Sequence, residues 1–409
     1  MRQGLVKCNA AMKNQTPTLK TTTAALPQDT CLKMREWRHD LHSNPELGFD
    51  ETRTARMIAD HLRSGGIEVH EGIGGTGVVG ILRRGNGAGS IAIRAEMDAL
   101  PISEQNEFAY RSIQMGKMHA CGHDGHTTLL LGAALHLASH GRFKGTAVFI
   151  FQPDEENGRG ARAMLEAGLF ERFPADAVFA LHNLPGLKAG RIAVRPGAMM
   201  ACEDIFKIEI TGNGTHAAMP HKGTDPIVAG AHVVTALQTI VARELDPLDH
   251  AVVSVTEFQT SGVRNVIPGS VTISGDARSF AQPVGDAINA AMRRIASGVT
   301  AAHGARCEVH YNREFTATIN SAREAGIIAE LGASLFGRHM VDANCPPLLA
   351  SDDFGALLEQ RPGAYFFLGN GVEGANGRAL HNPGYDFNDC ILDKGAEFWV
   401  RLVERQLPA

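Results

Sequence analysis

The chain has 409 residues, 44% of them hydrophobic and 20% charged. That balance belongs to a globular protein long enough for two or three domains, and it excludes a disordered, collagen-like or coiled-coil chain. The formal net charge is -5 and no block of Lys and Arg occurs, which argues against nucleic acid or a membrane surface as partner. No run approaches the roughly 18–20 apolar residues of a membrane span.

Residues 1–29 stand apart. They hold Arg2, Lys7, Lys13 and Lys20, many threonines and no acid before Asp29. No long apolar stretch marks a secretory signal, so the expected location is cytoplasmic. A basic, acid-poor leader fits a transit peptide. A disordered tail, or a start codon placed too early, is the preferred reading.

From Thr30 the pattern turns globular. Thr30 is placed to cap a helix that breaks at Asn44-Pro45. A second helix is predicted over 51–62, ending at Gly65-Gly66. Strands follow at 77–82 and 91–94, a Leu- and Ala-rich helix at 127–138, a strand at 146–151, a helix at 161–167 and a strand at 177–181. Strands alternating with helices predict an α/β layer on a largely parallel sheet.

The rhythm changes in the middle. A strand at 204–210, a helix at 225–243, strands at 251–259 and 270–279, a helix at 286–300 and a strand at 307–311 make a β-α-β-β-α-β order, the ferredoxin-like split unit. We expect an inserted domain over 197–314. The catalytic domain then comprises 30–196 and 315–409, the α/β pattern resuming at 323–335, 352–358, 364–368 and 391–405.

The seven cysteines are scattered, with no CxxC pair, so no disulfide framework is expected. Each reads as a buried, reduced thiol except Cys121. Cys121 lies in the densest polar cluster, 118–126 (MHACGHDGH), just before an apolar helix. In an extended segment, Cys121 and His123 put their side chains on one side. A thiolate and an imidazole there suit a borderline-soft transition metal. A single C-x-H is equally a polar helix start.

Three more clusters end hydrophobic strands. One is 149–156 (FIFQPDEE), where neighbouring carboxylates point differently. One of Glu155 and Glu156 can then bind metal while the other faces an attacking water as general base. The others are 179–183, ending on His182, and 91–101, where Asp98 is placed to hold a ligand histidine. A further histidine, His381, sits in 380–387. Each alone reads as a structural residue or a solvated turn. Their coincidence at several strand ends supplies enough donors for two divalent ions. In the middle section, 212–221 is a Gly-rich turn with His216 and His221, followed by Asn265 and Arg278. These types suit an oxyanion and a substrate carboxylate.

The strings RAEMDALPI, MHACGHDGH, FIFQPDEE, HAAMPH, DPIVAG, NVIPG and LHNPGYDFND occur in that order. From about residue 33 to its end, the chain resembles the M20 metallopeptidases of the aminoacylase, hippurate hydrolase and auxin-conjugate hydrolase branch. The resemblance implies a zinc-peptidase-like α/β catalytic domain carrying a lid and dimerisation domain. It implies Cys121 as a bridging thiolate and His123, Glu156, His182 and His381 as the other ligands, with His123 and His182 on one metal and Glu156 and His381 on the other. It implies Glu155 as general base to a metal-bound water, Asp98 as support for a ligand, His216 as an oxyanion group reaching a neighbouring subunit, and Asn265 and Arg278 near the substrate carboxylate. The implied cofactors are two divalent ions (Zn, Mn, Co or Ni). The implied partners are a small N-acyl amino acid and a second copy of the chain in a homodimer. Departures stand at Glu96, where Asp is usual, at Asp154, where Ala is common, and at Thr215, where Gly is common.

The resulting expectation is hydrolysis of the amide bond of an N-acyl amino acid. A dipeptidase or carboxypeptidase with the same site and a non-catalytic binding protein on this fold are the alternatives. A thiol redox protein built on Cys121 lacks a second cysteine nearby.

Overall fold

The computed structural model describes residues 26–409. Most of the leader expected over 1–29, and Cys8 with it, lies outside the described residues. Residues 28 and 29 already belong to the first helix, Gln28–Ser43, which starts behind Pro27 rather than at Thr30 and ends before Asn44-Pro45 as expected.

An eight-stranded sheet dominates. Its four central strands, Gly145–Gln152, Ser90–Glu96, Ala177–Pro185 and Gly363–Gly371, run parallel side by side. The flanks are mixed. Glu68–Ile73 and Gly77–Arg84 add antiparallel on one edge, and Ile192–Ala193 pairs antiparallel with the last central strand. The sequence pattern misses Glu68–Ile73 because an edge strand exposed along most of its length carries no apolar alternation.

The central strands are buried on both faces, so their alternate residues enter two different cores. Ile91, Ile93, Phe149, Phe151, Phe179 and Phe366 pack against helices that include His123–His140 and Leu392–Gln406. Ala92, Val148, Ile150, Val178 and Phe367 face Gly160–Glu166 and Phe354–Gln360 on the other side. Because the central strands are parallel, their carboxyl ends open on one edge, where ligand sites form in such sheets.

The middle section builds a separate four-stranded antiparallel sheet. Its spatial order is Ala251–Thr260, Ser270–Ser279, Cys202–Thr211, Arg306–Phe315. With helices Pro226–Leu237 and Gln282–Ala302 this is the split β-α-β-β-α-β arrangement. It has its own core, including Phe206, Ile208, Val233, Ile273 and Ile288. Asp225 caps the first helix by accepting from the backbone N–H of Ile227 and Val228. The stretch Pro226–Glu244 has the length and composition of a membrane span. Its Ala229, Val233, Leu237 and Ile240 nevertheless belong to the core under this sheet. Outside the sheet, Gly197–Met200 pairs with Thr318–Asn320 where the chain enters and leaves the unit.

The six described cysteines are free, and only Cys121, Cys202 and Cys345 are buried. Cys31 and Cys307 are half-buried and Cys390 is exposed, against the expectation of burial.

Two local devices fix the edge where the strands end. The turn after Gly145–Gln152 passes through Asp154 at φ 47°, in the left-handed region. Asp154 is fully buried, its N–H donating to Glu51 and its carboxylate accepting from Asn157 and Arg159. Its charge is thus used within the turn, which closes at Gly160. A Cβ on Gly160 would stand 1.6 Å from the Pro153 carbonyl oxygen. The second device pins the start of helix His123–His140. Asp124, in its first turn, accepts from His42 Nδ1–H at 2.8 Å and lies 3.6 Å from the Arg38 guanidinium. Arg38 also pairs with Asp386 and Asp389, and His42 donates to Glu104.

Gly160→Ala should lower stability by about 2–3 kcal/mol through this backbone collision, read as a lower urea midpoint; an unchanged midpoint would refute the packing described. Burial opposes charge on His42, but its hydrogen bonds to Asp124 and Glu104 prevail and raise it to about 9. A pKa raised on folding stabilises fully below the unfolded value near 6.5 and fades as pH rises through the folded one. Unfolding free energy should therefore fall by on the order of 3 kcal/mol between about pH 6.5 and 9, and His42→Gln should flatten that slope.

Candidate active site

Four parallel strand ends and the loops after them converge on one cavity of about 510 Å³. Cys121, Glu155, Glu156, His182 and His381 line its floor. The extended run expected through Cys121 and His123 stops at Gly122, which takes φ 97°, and His123 opens the helix. The reversal at Gly122 needs a residue without a Cβ, since one would meet Asn183 Oδ1 at 2.3 Å. Cys121 and His123 still face the same space, by a sharp turn rather than an extended strand.

Hydrogen bonds fix each ring. His123 Nδ1–H donates to the Asp98 carbonyl at 2.9 Å and its carboxylate at 3.1 Å. The same carboxylate accepts the Glu156 N–H at 3.0 Å. One acid thereby holds the ring of His123 and the backbone of Glu156. His123 Nε2 is left buried without a partner, as is Glu156 Oε1, 4.0 Å away. His182 donates Nδ1–H to the Asn183 carbonyl, which turns Nε2 toward Cys121 Sγ at 3.3 Å. His381, at φ 64°, brings Nε2 to 3.4 Å from Glu156. His123 lies within 4.8 Å of donor atoms in both Glu156 and His182.

Buried polar atoms left unpaired are costly, and here they belong to types that ligate metals. A thiol, imidazole nitrogens and a carboxylate fit divalent transition ions. The arrangement of a carboxylate behind a histidine, as in Asp98 and His123, is the usual support of a metal-binding ring.

Burial and neighbouring charges shift the titratable groups around the cavity. Burial, then the carboxylates of Asp352, Glu156, Asp353 and Asp98, push Glu155 well above the usual carboxylate range. Burial raises Glu156 to about 7, with His123 acting against it. Burial, then Glu156 and Glu155, push the Cys121 thiol well up. Burial and then His126 hold His182 well down, as a neutral ligand requires. Bound cations would reverse the shifts on the acids and the thiol.

The surroundings include residues that the sequence reading passed over. Arg94 is fully buried and paired with Glu96, Asp352 and Asp353. Glu96, reading as a departure from Asp, also accepts His126 Nδ1–H at 2.9 Å. His126 Nε2 in turn accepts the Asn183 N–H at 2.9 Å. The only sequence signals were the adjacent acids Asp352-Asp353 and a charge inside an apolar strand at Arg94.

Of the residues expected near the substrate, Arg278 reaches the cavity and the other two do not. His216 and Asn265 are both exposed. They lie beside each other, His216 paired with Val266 and the Asn265 carbonyl accepting the Ala217 N–H. Neither lines the cavity of its own chain.

Known proteins share this organisation. Residues 92–405 match the profile of peptidase family M20/M25/M40. The hippurate hydrolase of Campylobacter jejuni subsp. jejuni is 41% identical over 370 residues, covering 90% of this chain and 95% of that protein. The N-acetylcysteine deacetylase of Bacillus subtilis is 36% identical, covering 90% and 94%. The crystal structure of the Bacillus subtilis YXEP protein, described as a dinuclear metal binding peptidase from the M20 family, superposes with a TM-score of 0.81 at 32% identity over 93% of this chain and 99% of that one. The chain therefore belongs to peptidase family M20/M25/M40, and within it to the amidohydrolase branch.

Proposed function

We propose that this protein hydrolyses the amide bond of N-acyl amino acids, releasing a carboxylate and a free amino acid. The observation that carries the reading is the placement of Glu155 in the same cavity as Cys121, Glu156, His182 and His381, four of the five candidate metal ligands, with its proton affinity raised by burial and by other acids. Relatives named for hippurate and N-acetylcysteine support the substrate class.

Cys121, His123, Glu156, His182 and His381 are the residues that would hold two divalent ions. Zinc, manganese, cobalt and nickel all suit this mixed donor set. Such ions lower the pKa of a coordinated water and polarise a carbonyl oxygen. Glu155 takes the proton of the attacking water and returns it to the leaving nitrogen. Asp98 holds His123 in one tautomer and fixes the Glu156 backbone. Apolar side chains such as Met200, Leu348 and Phe367 line the walls and suit an acyl group. Arg278 receives the substrate carboxylate.

The unit over 197–314 is proposed as lid and dimerisation domain, between catalytic portions 30–196 and 315–409. On this reading His216 and Asn265 serve the site of the partner subunit in a homodimer, which accounts for their exposure in one chain. A cytoplasmic location is proposed with it.

Purified protein supplied with Mn²⁺ or Zn²⁺ should release free amino acid from a mixed panel of N-acyl amino acids, detected by mass spectrometry. Glu155→Gln should keep its metal and lose turnover by about 10²–10⁴-fold; retained turnover would sink the role. Asp98→Asn should weaken metal affinity by about 10–100-fold in competition with a chelating dye, with the circular dichroism spectrum unchanged. Equal affinity would show that Asp98 does not support a ligand.

A further inference from the structure

The cavity is roofed by the end of the four-stranded sheet. Glu203 and Arg278 stand directly opposite each other in adjacent antiparallel strands, and Phe315 stands opposite Glu203 on its other side. All three line the cavity facing the floor of ligands. Arg278 is the single cation among the lining residues apart from the histidines.

Arg278 is nearly saturated. A guanidinium has five N–H donors. Nε donates to Asp276 at 2.7 Å. Nη1 donates to the Leu349 carbonyl at 2.9 Å and to Ser351 Oγ at 3.0 Å. Nη2 lies 2.8 Å from Glu203 Oε1. One Nη2 hydrogen remains. Two carboxylates outweigh its single positive charge, so the Arg278 cluster carries a net charge of about -1 when both are ionised. Such a roof gives one hydrogen bond to the α-carboxylate of an N-acyl amino acid and repels any further anion.

We propose that Glu203 is a specificity-determining residue of this site, excluding substrates with a second carboxylate and favouring amino acids whose side chain is neutral or cationic. The inference rests on the amidohydrolase reading above. Its physical basis is negative selection. A like charge brought beside Glu203 in a partly desolvated cavity is disfavoured, while an amide or ammonium donor finds an acceptor there. Besides offering that one hydrogen bond to the substrate, Arg278 ties the small sheet to the loop at Leu349 and Ser351.

The test is a competition among N-benzoyl-glutamine, N-benzoyl-lysine and N-benzoyl-glutamate, with the N-acetyl series in parallel, on the metal-loaded wild type and Glu203→Gln. For the wild type, kcat/KM for the glutamate compound should lie about 10-fold or more below that for glutamine. Glu203→Gln should narrow that gap to within about 3-fold and lower the preference for lysine over glutamate by about 10-fold. The wild-type comparison stands even if the variant fails to fold. Hydrolysis of glutamine and glutamate compounds at equal rates would overturn the role of Glu203 and leave the amidohydrolase reading intact. No hydrolysis of any compound by the metal-loaded wild type would overturn both.

Discussion

The site depends on one buried cation. Arg94 lies inside the sheet, fully excluded from water, and its guanidinium meets Glu96, Asp352 and Asp353. It also donates to Gln152, the last residue of the neighbouring strand. Without it three carboxylates would sit in a low-dielectric interior beside Glu155, and a buried charge that loses its partner typically costs several kcal/mol. With it, acids can be packed closely enough to raise the proton affinity of Glu155 while Glu96 orients His126 and, through it, the Asn183 backbone. His182 bonds to that same residue. The candidate donor rings and Glu155 are thus arranged by a shared network rather than by separate loops.

The topology makes this network possible. Four parallel strands end on the same edge, and each delivers part of the site: Asp98 after Ser90–Glu96, Glu155 and Glu156 after Gly145–Gln152, His182 within Ala177–Pro185, and His381 in the loop beyond Gly363–Gly371. Fixed turns hold these components in place. Asp154 and Gly160 close one, Gly122 and the Arg38–Asp124 pair start the helix that carries His123, and His381 itself takes a left-handed backbone.

Much of this was legible in the sequence because the chemistry is written in short strings. A polar cluster just before an apolar helix exposed Cys121 and His123, polar clusters at the ends of apolar strands exposed Glu155, Glu156 and His182, and the β-α-β-β-α-β order appeared in the periodicity of the middle section. Three things were hidden. Edge strands such as Glu68–Ile73 have too little apolar alternation to announce themselves. The partnership of Arg94 with Asp352 and Asp353 joins residues more than 250 positions apart, which no local pattern encodes. The saturation of Arg278 depends on register across two strands and on a loop from elsewhere in the chain. The cationic residue type was visible, whereas its neutralisation by Glu203 and Asp276 was not. The buried Asp154 illustrates the same limit. In sequence it adds a charge beside the base, yet in the fold its carboxylate turns to Asn157 and Arg159.

Hydrolysis at this site depends on metal held by the orphaned donors at the strand ends. Diffraction from crystals grown with Zn²⁺, recorded at the zinc absorption edge, measures this directly. The expected result is two anomalous peaks about 3.5–4 Å apart, enclosed by Cys121, His123, Glu156, His182 and His381. Zinc at other sites, with none of these five side chains in its coordination sphere, would contradict it.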